Sequence, residues 1–218
     1  MPRRYRRRRY KRRGKRRGRG YGGYMSTAGK ALSIALGVKK LLNVERKTHD
    51  TTHSYTPSSA AGSIALLNGV SQGDTAYSRD GGSVKMLNVN VKGSLNINGS
   101  ATTTIVRAML LYKKDNAGTA PTVADILGSG WTIDSHYAKD NIHRYQVLFD
   151  RRYDLDQAAK NQILFNINKP MRLKVRYSGT GTSTSDIEKN GLYFILVSDE
   201  ATNTPSVVFK GRVTFIDN

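Results

Sequence analysis

The sequence contains no cysteine among its 218 residues. Disulfide bonds and metal sites built on thiolates are therefore excluded. The chain also lacks any run of 18 consecutive apolar residues, so no membrane-spanning helix is predicted and we expect no membrane insertion. No apolar stretch follows the charged N-terminus, which argues against a secretory signal.

Acidic residues are missing from the first 44 positions, the first one being Glu45. In the same part of the chain, thirteen of the first twenty residues are Lys or Arg. This block supplies +13 of the formal net charge of +20, which leaves +7 for the remainder. Because like charges repel and little apolar surface is available to bury, residues 1–24 are predicted to form a disordered Arg/Gly/Tyr-rich arm. Such an arm needs a polyanion as its partner.

The arm is predicted to bind nucleic acid without reading its sequence, with a preference for single strands. Each cation can neutralise a phosphate and release counterions, while Arg and Tyr side chains can stack on bases. The predicted nucleic-acid-binding cations are Arg3, Arg4, Arg6, Arg7, Arg8, Arg9, Lys11, Arg12, Arg13, Lys15, Arg16, Arg17 and Arg19. A nuclear localisation signal is also predicted, formed by Arg3, Arg4, Arg6, Arg7, Arg8, Arg9, Lys11, Arg12 and Arg13.

Further along the chain, the sequence has the period-two pattern of β-strands. In residues 87–98, apolar side chains alternate with polar ones, and Asn98-Gly99 predicts a hairpin turn into a return strand at 103–112. That return strand is apolar on both faces, which predicts burial between two layers. A short helix is predicted in residues 121–129, starting at Pro121 or Thr122. Further strands are predicted at 43–56, 143–150, 161–168, 171–177, 191–198 and 206–216.

About eight strands, little helix and long Gly/Ser-rich loops predict an all-β protein. The predicted fold is an eight-stranded antiparallel jelly-roll sandwich with a disordered basic N-terminal arm. Three parts are expected: the arm at 1–24, a short helical or irregular linker at 25–42, and the jelly-roll domain at 43–218.

Two predicted strands carry cations on their polar faces. In 171–177, Arg172, Lys174 and Arg176 alternate with apolar residues, and Lys210 and Arg212 share a face of 206–216. The five side chains could form a basic wall that also binds nucleic acid. They could equally be ordinary solvated charges, and the residues alone leave both interpretations open.

The sequence shows no catalytic set of residues. His49 and His53 would suit a metal on a helix, but an extended strand separates them by roughly 13 Å. Asp150, Asp154 and Asp156 are interrupted by arginines, which offer simple salt-bridge partners within a charged turn or contact loop. We therefore predict a protein that is not an enzyme, with no metal site and no cofactor.

Three stretches resemble capsid proteins of the circovirus-like viruses, whose circular single-stranded DNA encodes a replication initiator. They are the arm "MPRRYRRRRYKRR", residues 107–127 ("RAMLLYKKDNAGTAPTVADIL") and residues 143–155 ("HRYQVLFDRRYDL"). The resemblance implies a closed icosahedral shell of sixty identical subunits, with the arm inside on a single-stranded DNA genome. It also implies location in the virion, and in the host nucleus during assembly through the host import machinery. Loops 71–82 and 178–186 are candidates for outer-surface contacts.

Other interpretations remain open at this stage. Plant satellite RNA viruses have a similar jelly roll, so the protein could instead be the coat of a small satellite-like RNA virus. A cellular non-specific nucleic-acid-binding β-domain protein shares the basic arm but would not form a closed shell. A jelly-roll enzyme would need converging His and carboxylate side chains, which the sequence does not show.

Overall fold

The computed structural model of the protein describes residues 45–217. The predicted arm at 1–24 and linker at 25–42 lie outside the described residues. Eight strands form the described part: β1 (Arg46–Tyr55), β2 (Ser63–Leu66), β3 (Ser83–Asn96), β4 (Thr103–Asp115), β5 (Tyr145–Asp156), β6 (Gln162–Tyr177), β7 (Ile187–Ser198) and β8 (Ser206–Asp217). One α-helix, α1 (Val123–Leu127), lies between β4 and β5.

The strands form two four-stranded antiparallel layers. The first sheet has the order β1-β8-β3-β6 and the second β2-β7-β4-β5. The layers are joined where β6 pairs with β7 at Arg176 and Tyr177 only. Each sheet thus mixes strands from both ends of the chain, which is the wrapping of a jelly roll. The predicted eight-stranded antiparallel sandwich is confirmed.

The main core lies between the two sheets and is built around aromatic side chains. Phe194 of β7 meets Phe209 of β8 edge to face, with ring centres 5.0 Å apart. The ring centre of Phe165 of β6 lies 6.0 Å from that of Phe194. Full burial of each such ring stabilises the fold by about 1.5–3 kcal/mol. These contacts place the opposite face of the first sheet on the outside of the sandwich.

A second apolar cluster covers the opposite face of the second sheet. Helix α1 supplies Ile126, and β4 and β7 supply Met109 and Ile195. The helix begins after Thr122, whose side chain accepts a hydrogen bond from the Asp125 N–H, while the Asp125 carboxylate accepts one from the Thr122 N–H. The predicted helix, its start and the burial of β4 on both faces are all found.

Strand β6 is continuous where the sequence predicts two strands, 161–168 and 171–177. Pro170 lies between the two predicted pieces, and proline lacks the N–H that a strand ladder uses. Since β6 pairs with β7 only at its last residues, it is a sheet edge at Pro170. Edge strands tolerate proline, so the strand continues through it.

Strand β2 was not predicted at all. Its four residues, Ser63–Leu66, are too few to show a clear alternating pattern. They form a strand because they pair with β7. The total of eight strands agrees with the prediction because one strand was missed and another was divided.

The predicted hairpin at Asn98-Gly99 is wrong. Strand β3 pairs with β6 and β8, so both of its edges are already occupied, and β4 belongs to the other sheet. The turn at Asn98 is real, because its side-chain oxygen accepts a hydrogen bond from the Ser100 N–H at 3.0 Å. This turn carries the chain from one sheet to the other.

Loops 71–82 and 178–186 meet at one end of the sandwich. Arg79, which is 1% exposed, donates a hydrogen bond to the Gly179 carbonyl oxygen. Its guanidinium carbon also lies 4.1 Å from the centre of the Tyr177 ring. The two loops are therefore held as one unit, while their predicted role in outer-surface contacts stays a prediction.

Candidate nucleic-acid interface

The outward face of the first sheet carries most of its charged side chains. Even-numbered residues of β1, β6 and β8 point outward, and a bulge between Met86 and Asn88 shifts the parity of β3. We call this surface the basic face. One carboxylate, Asp50, lies there among eight cations: Arg46, Lys85, Lys92, Arg172, Lys174, Arg176, Lys210 and Arg212.

All five cations of the predicted basic wall lie on this one face and are exposed: Arg172, Lys174, Arg176, Lys210 and Arg212. Strand β3 lies between β6 and β8, which brings the two sets into one sheet. Arg46, Lys85 and Lys92 were not predicted. Their signal is weak, because Lys85 and Lys92 are isolated cations in an otherwise uncharged strand and Arg46 lies between Glu45 and Lys47, with no alternating row of cations in either place. The nucleic-acid-binding role of the set stays a prediction.

Two pairs of lysines lie directly opposite each other across strands of the basic face. Lys92 of β3 is opposite Lys210 of β8, and Lys85 of β3 is opposite Lys174 of β6. None of the four has a carboxylate partner within residues 45–217. Like charges placed directly opposite in a sheet are destabilising. The face therefore holds positive charge at a cost to the folded subunit.

Asp50 compensates one of the cations. Arg212 donates two hydrogen bonds to its carboxylate, from Nε to Oδ1 at 2.7 Å and from Nη2 to Oδ2 at 2.6 Å. The hydrogen bonding to Arg212 lowers the pKa of Asp50, and burial opposes this only in part. The bidentate geometry holds the guanidinium in a fixed orientation beside Asn90, its partner on β3.

An uncharged ladder of asparagines occupies the middle of the basic face. Asn88 donates to Asn168 and Asn90 donates to Asn166, each from Nδ2 to Oδ1 at 2.8 Å. We call these two β3–β6 pairs the amide ladder. In the sequence, the asparagines of β3 stand out only as the polar side of an alternating strand. Their pairing depends on the register of β3 against β6, which the sequence does not reveal.

His49 and His53 lie on the inward-facing side of β1 and are half-buried. His53 stacks on Phe209, with ring centres 5.0 Å apart. Burial lowers the pKa of both His49 and His53. Within residues 45–217, no group of three His, Asp or Glu side chains is arranged to hold a metal ion.

The cluster of aspartates lies in strand β5, where the sequence predicts a turn or loop. Asp150 pairs with Arg107 of β4 through bonds of 3.0 and 2.7 Å, and the Tyr137 hydroxyl also donates to it. The neighbouring Arg152 pairs instead with Asp134 at 2.6 Å. The expected pairing with adjacent arginines is not found: Arg151 follows Asp150 directly and points to the opposite face, while Arg152, on the same face as Asp150, pairs with Asp134.

No helix in the described part of the chain has the length and apolar character needed to cross a membrane.

Comparison with known proteins gives a family over nearly the whole chain. Residues 26–217 match the family described as satellite tobacco necrosis virus coat protein. A solved structure of Desmodium yellow mottle tymovirus is 5% identical, covering 79% of this chain and 87% of that chain, with a TM-score of 0.37. The infectious bursal disease virus Gx strain structure is 10% identical, covering 79% and 30%, with a TM-score of 0.24. A VP2 subviral particle of infectious bursal disease virus is 13% identical, covering 79% and 33%, with a TM-score of 0.23.

These structural likenesses are too distant to add to the assignment, and no curated protein sequence matches the chain. The family match, however, spans every strand of the sandwich. The chain therefore belongs to the satellite tobacco necrosis virus coat protein family and is a viral coat protein.

Proposed function

We propose that this coat protein assembles into a closed shell of sixty copies and packages a single-stranded RNA genome. The basic face and the arm at 1–24 would line the interior. The observation that carries the proposal is the joining of a coat-protein sandwich to a sheet face with eight cations and one carboxylate. Closed symmetric assembly from identical subunits is the usual outcome for such chains.

The basic face supports contact with a polyanion. Lys92 against Lys210 and Lys85 against Lys174 oppose folding of the isolated subunit. Phosphate groups of a nucleic acid would remove this repulsion and release counterions on binding. A face on which these four lysines gain phosphate partners on packaging couples genome binding to assembly.

The arm adds to the same interaction. Its thirteen Lys and Arg residues precede the first acidic residue of the chain, so no nearby carboxylate in sequence competes for them. Binding through such contacts is strong, independent of base sequence and steeply dependent on salt. Subunits bound to the same nucleic-acid molecule would have a raised local concentration, which favours their assembly.

The nature of the genome follows the family. The resemblance to circovirus-like capsids predicts single-stranded DNA, whereas the matched family supports the satellite-like RNA alternative. We therefore propose that the packaged genome is single-stranded RNA. Entry into the host nucleus through residues 3–13 remains a prediction from the arm's sequence.

The experiment is expression of the full chain, purification of any particles and extraction of the enclosed nucleic acid. We expect particles of uniform size whose contents are digested by RNase and resist DNase. Contents digested by DNase would contradict an RNA genome and favour single-stranded DNA. Monomers at every salt concentration, with nucleic acid present, would contradict the proposed function.

A further inference from the structure

The amide ladder lies between the two groups of cations on the basic face. We propose that it binds ribose 2′-hydroxyl groups of the packaged strand and so favours RNA over DNA. The inference rests on the proposed function, because it requires the basic face to contact the genome.

Each rung of the ladder leaves one amide nitrogen and one amide oxygen without a hydrogen bond among the described residues. In the first rung, Asn88 Nδ2 donates to Asn168 Oδ1, which leaves Asn88 Oδ1 and Asn168 Nδ2 without partners among residues 45–217. In the second, Asn90 Nδ2 donates to Asn166 Oδ1 and to the Ile167 carbonyl oxygen, which leaves Asn90 Oδ1 and Asn166 Nδ2 free in the same range. The hydrogen bond from Asn90 Nδ2 to the Ile167 carbonyl oxygen fixes the orientation of the Asn90 amide in this rung.

A 2′-hydroxyl group fits such a rung because it both donates and accepts hydrogen bonds. It can donate to the free amide oxygen on β3 and accept from the free amide nitrogen on β6. DNA has no group at that position, and the 2′-hydroxyl is what lets proteins distinguish the two nucleic acids. The rungs start two residues apart on β3, which is about 7 Å along the strand.

Cations at both ends of the ladder can hold the phosphates of the same strand. Lys92 lies opposite Asn166, with Lys210 on its other side. At the other end, Arg172 and Lys174 follow the ladder along β6 and are exposed. A nucleic-acid strand lying along the face would therefore contact cations, then the amide ladder, and then cations again.

The residue types of the face favour the sugar over the base as the group recognised. Proteins that read bases on a sheet stack them on aromatic side chains. Strand β3 has no aromatic side chain, and those of β1, β6 and β8 alternate with the outward positions and point into the sandwich, as Phe165 and Phe209 do. The backbone of the nucleic acid is thus the part suited to this surface.

The test is a competition during assembly of the full-length protein. Equal amounts of oligo(U) and oligo(dU) of one length are supplied, and the ratio enclosed in purified particles is measured. The two oligomers share the base and the phosphate and differ only at the 2′ position. Assembly at raised salt weakens the ionic contacts of the arm, which are the same for both, and leaves the hydrogen bonds less affected.

We expect the wild-type protein to enclose several-fold more oligo(U), since one net hydrogen bond corresponds to a preference of about five-fold. Asn166→Ala with Asn168→Ala should reduce the ratio to nearly one. Both side chains are exposed, so the melting temperature should change by only about 3 °C or less.

Two matched variants separate this effect from other causes. Asn141→Ala removes an amide that makes no side-chain capping bond, on the segment before β5, and should keep the wild-type ratio. Lys92→Ala should lower the uptake of both oligomers and leave their ratio unchanged. A wild-type ratio of one, or an unchanged ratio in the double variant, would overturn the ribose assignment while packaging itself stands. Particles that enclose neither oligomer would overturn the proposed function, and this inference with it.

Discussion

Lys92 of β3 and Lys210 of β8 lie directly opposite each other on the exposed basic face. Within residues 45–217, neither lysine forms a salt bridge, and the nearby Asp50, which attracts Lys210, is already paired with Arg212. A sheet selected for stability alone would avoid this arrangement, since an opposite-charge pair at such positions is favourable. The pair instead suits a surface whose partner is a polyanion.

Replacing Lys210 with Gln should therefore change stability and binding in opposite directions. We expect the free energy of unfolding at low salt to rise by up to about 1 kcal/mol, because one like-charge contact is removed. The slope of log affinity for single-stranded RNA against log salt should become shallower by about one, because one phosphate contact is lost. Denaturant titration and salt titration of binding measure the two effects.

Lys139→Gln is the matched control for that variant. Lys139 is an exposed lysine on the segment before β5, and its replacement makes the same change in net charge. It should leave both quantities close to the wild-type values. Equal salt slopes for the Lys210 and Lys139 variants would show that the basic face does not contact the nucleic acid.

Asp150 should matter for stability through Arg107. The Arg107 side chain is 6% exposed and makes its two-bond ion pair with Asp150. Asp150→Ala leaves this guanidinium charge without its carboxylate, which should lower the free energy of unfolding by about 3 kcal/mol at pH 7. Asp154→Ala, an exposed carboxylate on the same strand, should change it by about 0.5 kcal/mol or less.

The Asp150 effect should also depend on pH. Burial raises the pKa of Asp150, but hydrogen bonds from Arg107 and Tyr137 outweigh it and leave the pKa below its usual value. The stabilisation is thus fully present above the unfolded-state pKa of about 3.9 and is lost as pH falls through the lower folded-state value. The gap between wild type and Asp150→Ala should shrink from pH 4 towards pH 2 in denaturant titrations. A gap that stays constant over this range would contradict the ion-pair explanation.

Arg79 should control the end of the sandwich where two loops meet. Its side chain donates to the carbonyl oxygens of Val70, Gly81 and Gly179. Arg79→Ala leaves buried acceptors unpaired and should cost at least about 2 kcal/mol. Hydrogen exchange should rise in loops 71–82 and 178–186 before it rises in the strands. Arg79→Lys keeps the charge but loses the forked donor geometry, so it should rescue little; full rescue would show that charge alone holds the loops.

Deleting residues 2–20 should separate folding from packaging. The first strand of the sandwich begins at Arg46, 26 positions after the deleted range, so the melting temperature of the sandwich should be retained. Enclosed nucleic acid should be lost, because the deletion removes thirteen phosphate-binding cations. A chain in which the same cations are replaced by Ser controls for arm length and should behave alike. Full encapsidation by the chain that lacks residues 2–20 would contradict the role proposed for the arm.

The sequence predicts features that depend on local pattern, and misses those that depend on pairing. Period-two alternation is enough to place Arg172, Lys174 and Arg176 on the outward side of a strand. It cannot show that β3 lies between β6 and β8, which is what joins them to Lys210. Register is a tertiary property, so the asparagine pairs of the amide ladder were equally hidden.

Long-range partners account for the other failures. Asp150 meets Arg107, which is 43 positions away, and not the arginines beside it in sequence. Asn98-Gly99 has the residues of a hairpin turn, but the pairing of β3 is already complete on both edges. In each case local chemistry suggested a near neighbour, and the wrapping of the jelly roll supplied a distant one.

Electron cryomicroscopy of particles assembled from the full chain tests the central claim most directly. The account predicts a closed shell of sixty subunits in which the basic face, including Lys92 and Lys210, points inward against nucleic-acid density. A closed shell with that face on the outer surface, or the absence of any closed shell, would contradict it.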